Sequence, residues 1–150
     1  MKSIVMNVYC SNDHAVLLEF MRKVDDKIYE LMDKHPYPFL IMGGDFNACM
    51  SDGDSINRLS YRHEVCHANF IKSNNINCDL LDAYMSIEPV GGYTRNRQQC
   101  YLRLDYIFMS GYLTSRINSV ETDWAFEQSH HVSLVVKMSI NMDVARVLVL

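Results

Sequence analysis

One segment near the middle of the chain constrains its fold more than any other. Every residue in Phe39–Met42 is apolar, and Gly43–Asp45 follows directly. A short, uninterrupted apolar run is typical of a strand buried on both faces. The two glycines predict that a loop rich in Asp, Asn and Ser begins at once and continues to about Ser60. We therefore expect a central strand that ends in polar residues.

Helical and strand patterns flank this segment. Ser3–Tyr9 is predicted to form a strand, and an N-cap at Asn12 or Asp13 starts a helix that runs to about Lys34. Apolar residues recur along that helix at steps of three and four, which predicts one buried face. Further predicted elements are a helix over Tyr61–Asn74 and strands over Asp79–Tyr84, Leu104–Met109, Arg116–Thr122 and His131–Ile140. This order indicates an α+β fold in which helices cover a sheet.

Composition limits the possible partners and the compartment. The net charge of −4 excludes a uniformly basic nucleic-acid binder, although a local basic strip remains compatible with it. The five cysteines include no C-x-x-C pair, which indicates reduced thiols in an intracellular protein, nuclear or cytoplasmic. No apolar run approaches the ~20 residues of a membrane span, so we expect no membrane partner.

Three polar clusters are candidates for chemistry. Asp45 and Asn47 end the central strand and, on an extended backbone, would share a face. The alternative is a turn closed by Asx hydrogen bonds. Asp105 lies within an apolar strand and needs a partner there, either a neighbouring arginine or a histidine that it orients. His131, just before the last predicted strand, could be that histidine.

In their order along the chain, these clusters resemble the endonuclease/exonuclease/phosphatase superfamily. The family's Gly-Asp-x-Asn, Arg-Leu-Asp-Tyr and Ser-Asp-His motifs correspond here to Gly44–Asn47, Arg103–Tyr106 and Ser129–His131. The doubled glycine and the Tyr-x-Arg-Leu-Asp-Tyr-Ile-Phe run most resemble LINE-type retrotransposon endonucleases. The resemblance implies Mg²⁺-dependent, or Mn²⁺-dependent, hydrolysis of DNA phosphodiesters. Inositol phosphatases and sphingomyelinases of the same superfamily remain alternatives.

The resemblance also implies a role for each matched residue. Asp45 would orient or deprotonate the attacking water, and Asn47 would hold the phosphate. His131 would stabilise charge on the phosphoryl oxygen, and Asp105 would fix the tautomer of that imidazole. Two further residues, Tyr9 and Asn12, would contact the phosphate or the leaving oxygen.

The chain also departs from the family pattern. His130 replaces the family's metal-side aspartate, and an imidazole is a weaker ligand than a carboxylate for Mg²⁺. The resemblance places the family's remaining metal ligands in an N-terminal half, which we expect to be missing here. We therefore expect the C-terminal part of a four-layer α/β sandwich over residues 1–140, with a tail over 141–150. Metal binding should be weakened, and the missing half or self-association would cover the exposed apolar surface.

A basic strip between Tyr93 and Arg103 carries Arg95, Arg97 and Arg103 without an acidic residue. Arginines and tyrosines in such a strip suit contacts with DNA phosphates and sugars, so we expect these three arginines to bind substrate. A solvated surface loop is the alternative.

One competing motif points to another class of enzyme. His63, Glu64 and His67 match H-E-x-x-H, which on a helix can bind zinc in a metalloprotease. No clear third ligand accompanies it, and the surrounding helix is polar. The sequence therefore favours a truncated, weakened or inactive DNA endonuclease. The alternative is an inactive remnant that only binds nucleic acid.

Overall fold

The computed structural model describes residues 3–35, 39–57, 68–69, 71–73, 79–97, 99–124, 131–140 and 143–149. The strands are β1 (Ser3–Tyr9), β2 (Phe39–Asp45), β3 (Ser55–Ile56), β4 (Leu80–Asp82), β5 (Arg95–Arg97), β6 (Cys100–Leu102), β7 (Asp105–Ser110), β8 (Ile117–Asp123), β9 (Ser133–Ile140) and β10 (Asp143–Val149). The helices are α1 (His14–Lys34), α2 (Gly111–Thr114) and a 3₁₀ turn at Asp52–Asp54. Residues 68–69 and 71–73 are also helical, while the rest of the second predicted helix lies outside the described residues. Among the helices described, none is long and apolar enough to cross a membrane.

Helix α1 forms where the sequence predicts it. Asp13 is the N-cap, and its carboxylate accepts hydrogen bonds from the backbone N–H groups of Ala15 and Val16 at 2.9 and 3.4 Å. The apolar face of the helix buries Leu17, Met21, Val24 and Ile28. These side chains pack on one face of a four-stranded sheet and form the larger of two apolar cores.

This central sheet has the strand order β1-β2-β7-β4. β1 runs parallel to β2, whereas β7 is antiparallel to both β2 and β4. The register places Asp45 opposite Tyr9 on one side and opposite Asp105 on the other. Three of the predicted site residues therefore meet at one end of the central sheet.

A second sheet, with the order β10-β9-β8, covers the opposite face of the central sheet. Ile41, Ile107 and Met109 from the central sheet pack there against Leu134 and Val136. A third, small sheet has the order β3-β6-β5. Within the described residues the layers are helix, sheet and sheet, which is the predicted α+β class of fold.

The predicted loop at Gly43 begins later than expected. β2 continues through both glycines to Asp45, because Gly44 lies directly against β1. Gly44 has a φ of +149°, and a Cβ atom there would lie 1.7 Å from the carbonyl oxygen of Val8. The glycine thus permits close approach of two strands rather than a loop.

Four strands were not predicted. β3 has only two residues and lies within the predicted loop. β5 and β6 are only three residues each, which is too short for an apolar alternation to be recognised in the sequence. β10 pairs antiparallel with β9 from Asp143 opposite Ile140 to Val149 opposite Leu134. Residues 143–149 of the predicted tail therefore belong to the second sheet.

Candidate active site

Asp45 and Asn47 form the first part of the site, at the end of β2. The backbone N–H of Asn47 donates to the Asp45 carboxylate at 2.8 Å, and the Asn47 amide Nδ2 donates to the Cys10 carbonyl at 2.6 Å. Asn47 adopts a left-handed φ of 50°, which asparagine tolerates better than most residues. The Asx hydrogen bond considered as an alternative is therefore present. It fixes both side chains at the sheet end.

His131 lies between the two aspartates of the site. Its Nδ1 is 2.9 Å from Oδ2 of Asp105, and its Nε2 is 3.9 Å from Oδ2 of Asp45. The predicted contact between Asp105 and His131 is confirmed. No ion pair between Asp105 and an arginine occurs among the described residues. The imidazole keeps 27% of its surface exposed, so a substrate can reach it.

Electrostatics follow from this packing. The hydrogen bond to Asp105 raises the pKa of His131, against the opposing effect of burial. Burial raises the pKa of Asp45, and the nearby charge of Asp105 raises it further, while the Asn47 N–H lowers it. The charge of Asp105 thus disfavours a negative charge on Asp45, and a bound positive charge would offset this repulsion.

A divalent cation fits this donor set. Carboxylate oxygens of Asp45 and Asp105 and a ring nitrogen of His131 lie within 4.8 Å of one another. Hard cations such as Mg²⁺ prefer oxygen ligands and retain several waters. Asp45 is better placed than Asp105 to ligate such an ion, because the Asp105 carboxylate already accepts from His131.

Thr94 supports the cluster and was missed by sequence reasoning. It is fully buried, and its hydroxyl oxygen accepts hydrogen bonds from the backbone N–H groups of Leu104 and Asp105 at 3.1 and 3.2 Å. Its carbonyl accepts from the N–H of Val132 at 2.7 Å. Thr94 therefore joins the strand that carries Asp105 to the segment that carries His131. All its partners are distant in sequence, so no local pattern reveals it.

The other predicted site residues are distributed unevenly. Tyr9 is 72% exposed at the same sheet end as Asp45, and Asn12 is exposed just beyond β1. Arg95 forms an isolated β-bridge with His131. Of Arg97 the structure describes the backbone in β5 but not the side chain. His130 and the zinc motif of His63, Glu64 and His67 lie outside the described residues.

The structure corrects the prediction for Arg103. Its side chain is completely buried, and its Nη2 donates to both carboxylate oxygens of Asp82 at 2.6 Å. Nη1 lies 3.3 Å from Asp54, and the guanidinium lies 4.5 Å from the ring centre of Tyr106. A buried cation with these partners cannot contact a DNA phosphate, so Arg103 holds the fold together rather than binding substrate.

A cavity of about 350 Å³ opens elsewhere, beside Met50, Leu80 and Phe108 on the α1 side of the central sheet. Its lining contains neither of the two site aspartates nor His131. A mostly apolar cavity without these groups cannot carry the chemistry of the cluster, so we assign the candidate active site to the sheet end.

Several solved structures share this fold. A Neisseria 3′ phosphatase bound to a product DNA hairpin superposes with a TM-score of 0.73 and 21% identity, covering 91% of this chain and 61% of that one. An AP endonuclease from Leishmania major superposes with a TM-score of 0.71 and 17% identity, covering 92% of this chain and 51% of that one. An AP endonuclease from Archaeoglobus fulgidus superposes with a TM-score of 0.64 and 15% identity, covering 91% of this chain and 62% of that one. The chain thus spans about half to six-tenths of each relative's length.

Sequence comparison agrees with the fold. No curated protein sequence matches the chain at a significant level. The model of the Endonuclease/Exonuclease/phosphatase family, however, matches residues 7–126, a range that includes Asp45, Asn47 and Asp105. Because that match spans most of the chain, this protein belongs to the Endonuclease/Exonuclease/phosphatase family.

Proposed function

We propose that this chain carries the phosphate-binding side of a metal-dependent DNA endonuclease site. The observation that supports this is the cluster of Asp45, Asp105 and His131 at the open end of the central sheet. The relatives of similar fold are AP endonucleases and a 3′ phosphatase bound to a DNA hairpin, so DNA is the substrate we favour.

The geometry suggests a separate chemical role for each residue of the site. Asp105 accepts from Nδ1 of His131 and raises the pKa of the ring, which favours the doubly protonated imidazolium. In that form Nε2 donates to a phosphoryl oxygen. Asp45 accepts a proton from the attacking water, which its raised pKa favours. A divalent cation, when bound at the carboxylates, would neutralise charge on the phosphate.

Three further residues complete the proposed substrate contacts. The exposed Tyr9 and Asn12 lie near the end of β1, where the scissile phosphate and the leaving oxygen would pass. Arg97 follows Arg95 on β5 and would contact the DNA backbone. Mg²⁺ is the favoured metal, with Mn²⁺ as a substitute, because the donors are mainly oxygen.

The finer assignment rests on sequence. The run from Tyr101 to Phe108 and the glycines before Asp45 support an endonuclease of the LINE type, in a protein of the nucleus or cytoplasm. His130 at the family's aspartate position supports a weakened metal site.

We also propose that the site needs a second polypeptide segment. The chain spans 61% of the length of the Neisseria enzyme. β1 forms an edge of the central sheet, and on the face of β1 turned away from α1 Val5 and Tyr9 are 69% and 72% exposed. Such an edge favours pairing with further strands, either from an N-terminal half or from another copy of the chain.

The test is nicking of supercoiled plasmid with and without Mg²⁺. We expect no nicking by the isolated chain, and none after His130→Asp alone. Addition of the N-terminal half of a LINE-type endonuclease together with His130→Asp should produce nicking that His131→Ala abolishes. Nicking by the unmodified chain alone would contradict the need for a second segment. No nicking with the half added would instead favour the remnant that only binds nucleic acid.

A further inference from the structure

Arg95 lies directly opposite His131 in an antiparallel β-bridge. Side chains of directly opposed residues project on the same side of a sheet, with their Cβ atoms about 4.5–5.5 Å apart. The guanidinium of Arg95 therefore emerges beside the imidazole of His131. The hydrogen bond from the Val132 N–H to the Thr94 carbonyl at 2.7 Å holds these two segments together.

The guanidinium of Arg95 has unused hydrogen-bonding capacity. Its Nε is buried and has no hydrogen-bond partner. Within the part of the chain that the structure describes, no ion pair joins Arg95 to Asp45 or Asp105, although both carboxylates lie in the neighbouring cluster. An unpaired buried N–H costs about 1–3 kcal/mol, so the protein itself does not fully satisfy the donors of this guanidinium.

The charge of Arg95 reaches the centre of the site. It lowers the pKa of both Asp45 and His131, which is consistent with a guanidinium held beside the cluster. A planar guanidinium donates in parallel to two oxygens of a phosphate group. Because the two residues are directly opposed in the bridge, the imidazole and the guanidinium can both contact one tetrahedral anion.

We propose that Arg95 and His131 together bind a single phosphate group, with Arg95 donating to its non-bridging oxygens. This inference rests on the proposed function and assigns Arg95 to the reacting phosphate rather than to the distant DNA backbone. The ligand chemistry is a phosphate oxygen, supplied either by an internal phosphodiester or by a terminal phosphomonoester.

The first experiment measures binding of a short DNA duplex by fluorescence anisotropy in EDTA, over a range of salt concentrations. Arg95→Gln should weaken binding about tenfold and reduce the slope of log K against log salt by about 1. Arg95→Lys keeps the charge but loses the planar guanidinium that donates to two oxygens at once. It should therefore retain the salt dependence of wild type and recover only part of the affinity.

The matched control is Arg116→Gln. It removes the same charge beyond the opposite end of β7, where Arg116 lies over the ring of Tyr112. A duplex with hydroxyl ends and the same duplex with a terminal 3′ phosphate separate the two sources of phosphate. A loss with both duplexes indicates the internal phosphodiester, and a loss only with the second indicates the phosphomonoester.

A second arm uses inorganic phosphate and follows the ring resonances of His131 by NMR. Wild type should show saturable shifts that Arg95→Gln weakens about tenfold and Arg116→Gln leaves unchanged. Equal effects of Arg95→Gln and Arg116→Gln in both arms would overturn the inference. If wild type binds phosphate through Arg95 but does not bind DNA, the proposed function fails while the inference stands.

Discussion

Nδ1 of His131 lies 2.9 Å from Oδ2 of Asp105, across 26 positions of sequence. Asp105 begins β7 at the centre of the sheet, whereas His131 precedes β9 in the second sheet. The contact therefore crosses between the two sheets at the end where Asp45 also lies. Any change that separates the sheets would also separate these groups.

The first prediction concerns this hydrogen bond. Asp105→Asn should lower the pKa of His131, because the carboxylate is the main cause of its upward shift. In wild type the stabilisation from a raised histidine pKa is fully present below pH 6.5, the ordinary value, and is lost as pH rises through the raised value. Wild type should therefore have a higher free energy of unfolding than Asp105→Asn below pH 6.5. This difference should shrink as pH rises from 6.5 through the raised pKa of His131.

NMR titration of the His131 ring and urea unfolding below and above this window, both in EDTA, measure the effect. Asp52→Asn, at an exposed carboxylate in the 3₁₀ turn, serves as the control and should leave the pKa of His131 unchanged. An unchanged pKa of His131 in Asp105→Asn would contradict the assigned hydrogen bond.

Local patterns predicted the parts of the fold that depend on local forces. The apolar period of α1 and its Asp13 cap lie within one stretch of sequence, and both are confirmed. The burial of Arg103 could not be predicted from such local patterns. Its partners Asp82 and Asp54 lie 21 and 49 positions away, so an arginine in a basic strip looked exposed. Burial that depends on distant partners leaves no local signal.

The second prediction concerns Thr94. Thr94→Val keeps the side-chain shape but removes the acceptor for the N–H groups of Leu104 and Asp105. Two buried donors would lose their partner, which should lower the free energy of unfolding by about 1–3 kcal/mol. Urea unfolding checks this, and Thr122→Val in β8 is the matched control, expected to change stability little. Equal stability of the two variants would show that the Thr94 hydroxyl does not hold the strands.

The third prediction concerns the buried ion pair. Asp82→Asn removes the charge that pairs with Arg103 at 2.6 Å and leaves the buried guanidinium with Asp54 alone. Loss of one partner of a buried pair costs about 3–5 kcal/mol, so this variant should be strongly destabilised in urea. Glu19→Gln, which breaks an exposed pair with Lys23 on α1, should have little effect. Similar midpoints for the two variants would indicate that Arg103 is not buried in solution.

The last prediction concerns Gly44. Gly44→Ala would place a methyl group 1.7 Å from the Val8 carbonyl, and backbone atoms cannot move aside as a flexible side chain can. The variant should lose at least about 2 kcal/mol of stability, and β1 should separate from β2 beside Asp45. Gly53→Ala is the matched control, because a methyl there meets its nearest neighbour, Ser51 Oγ, at an ordinary 3.7 Å. Urea unfolding compares their stabilities, and amide hydrogen exchange in β1 should accelerate only in Gly44→Ala. Unchanged exchange and stability in Gly44→Ala would mean that the two strands do not approach as closely as the structure shows.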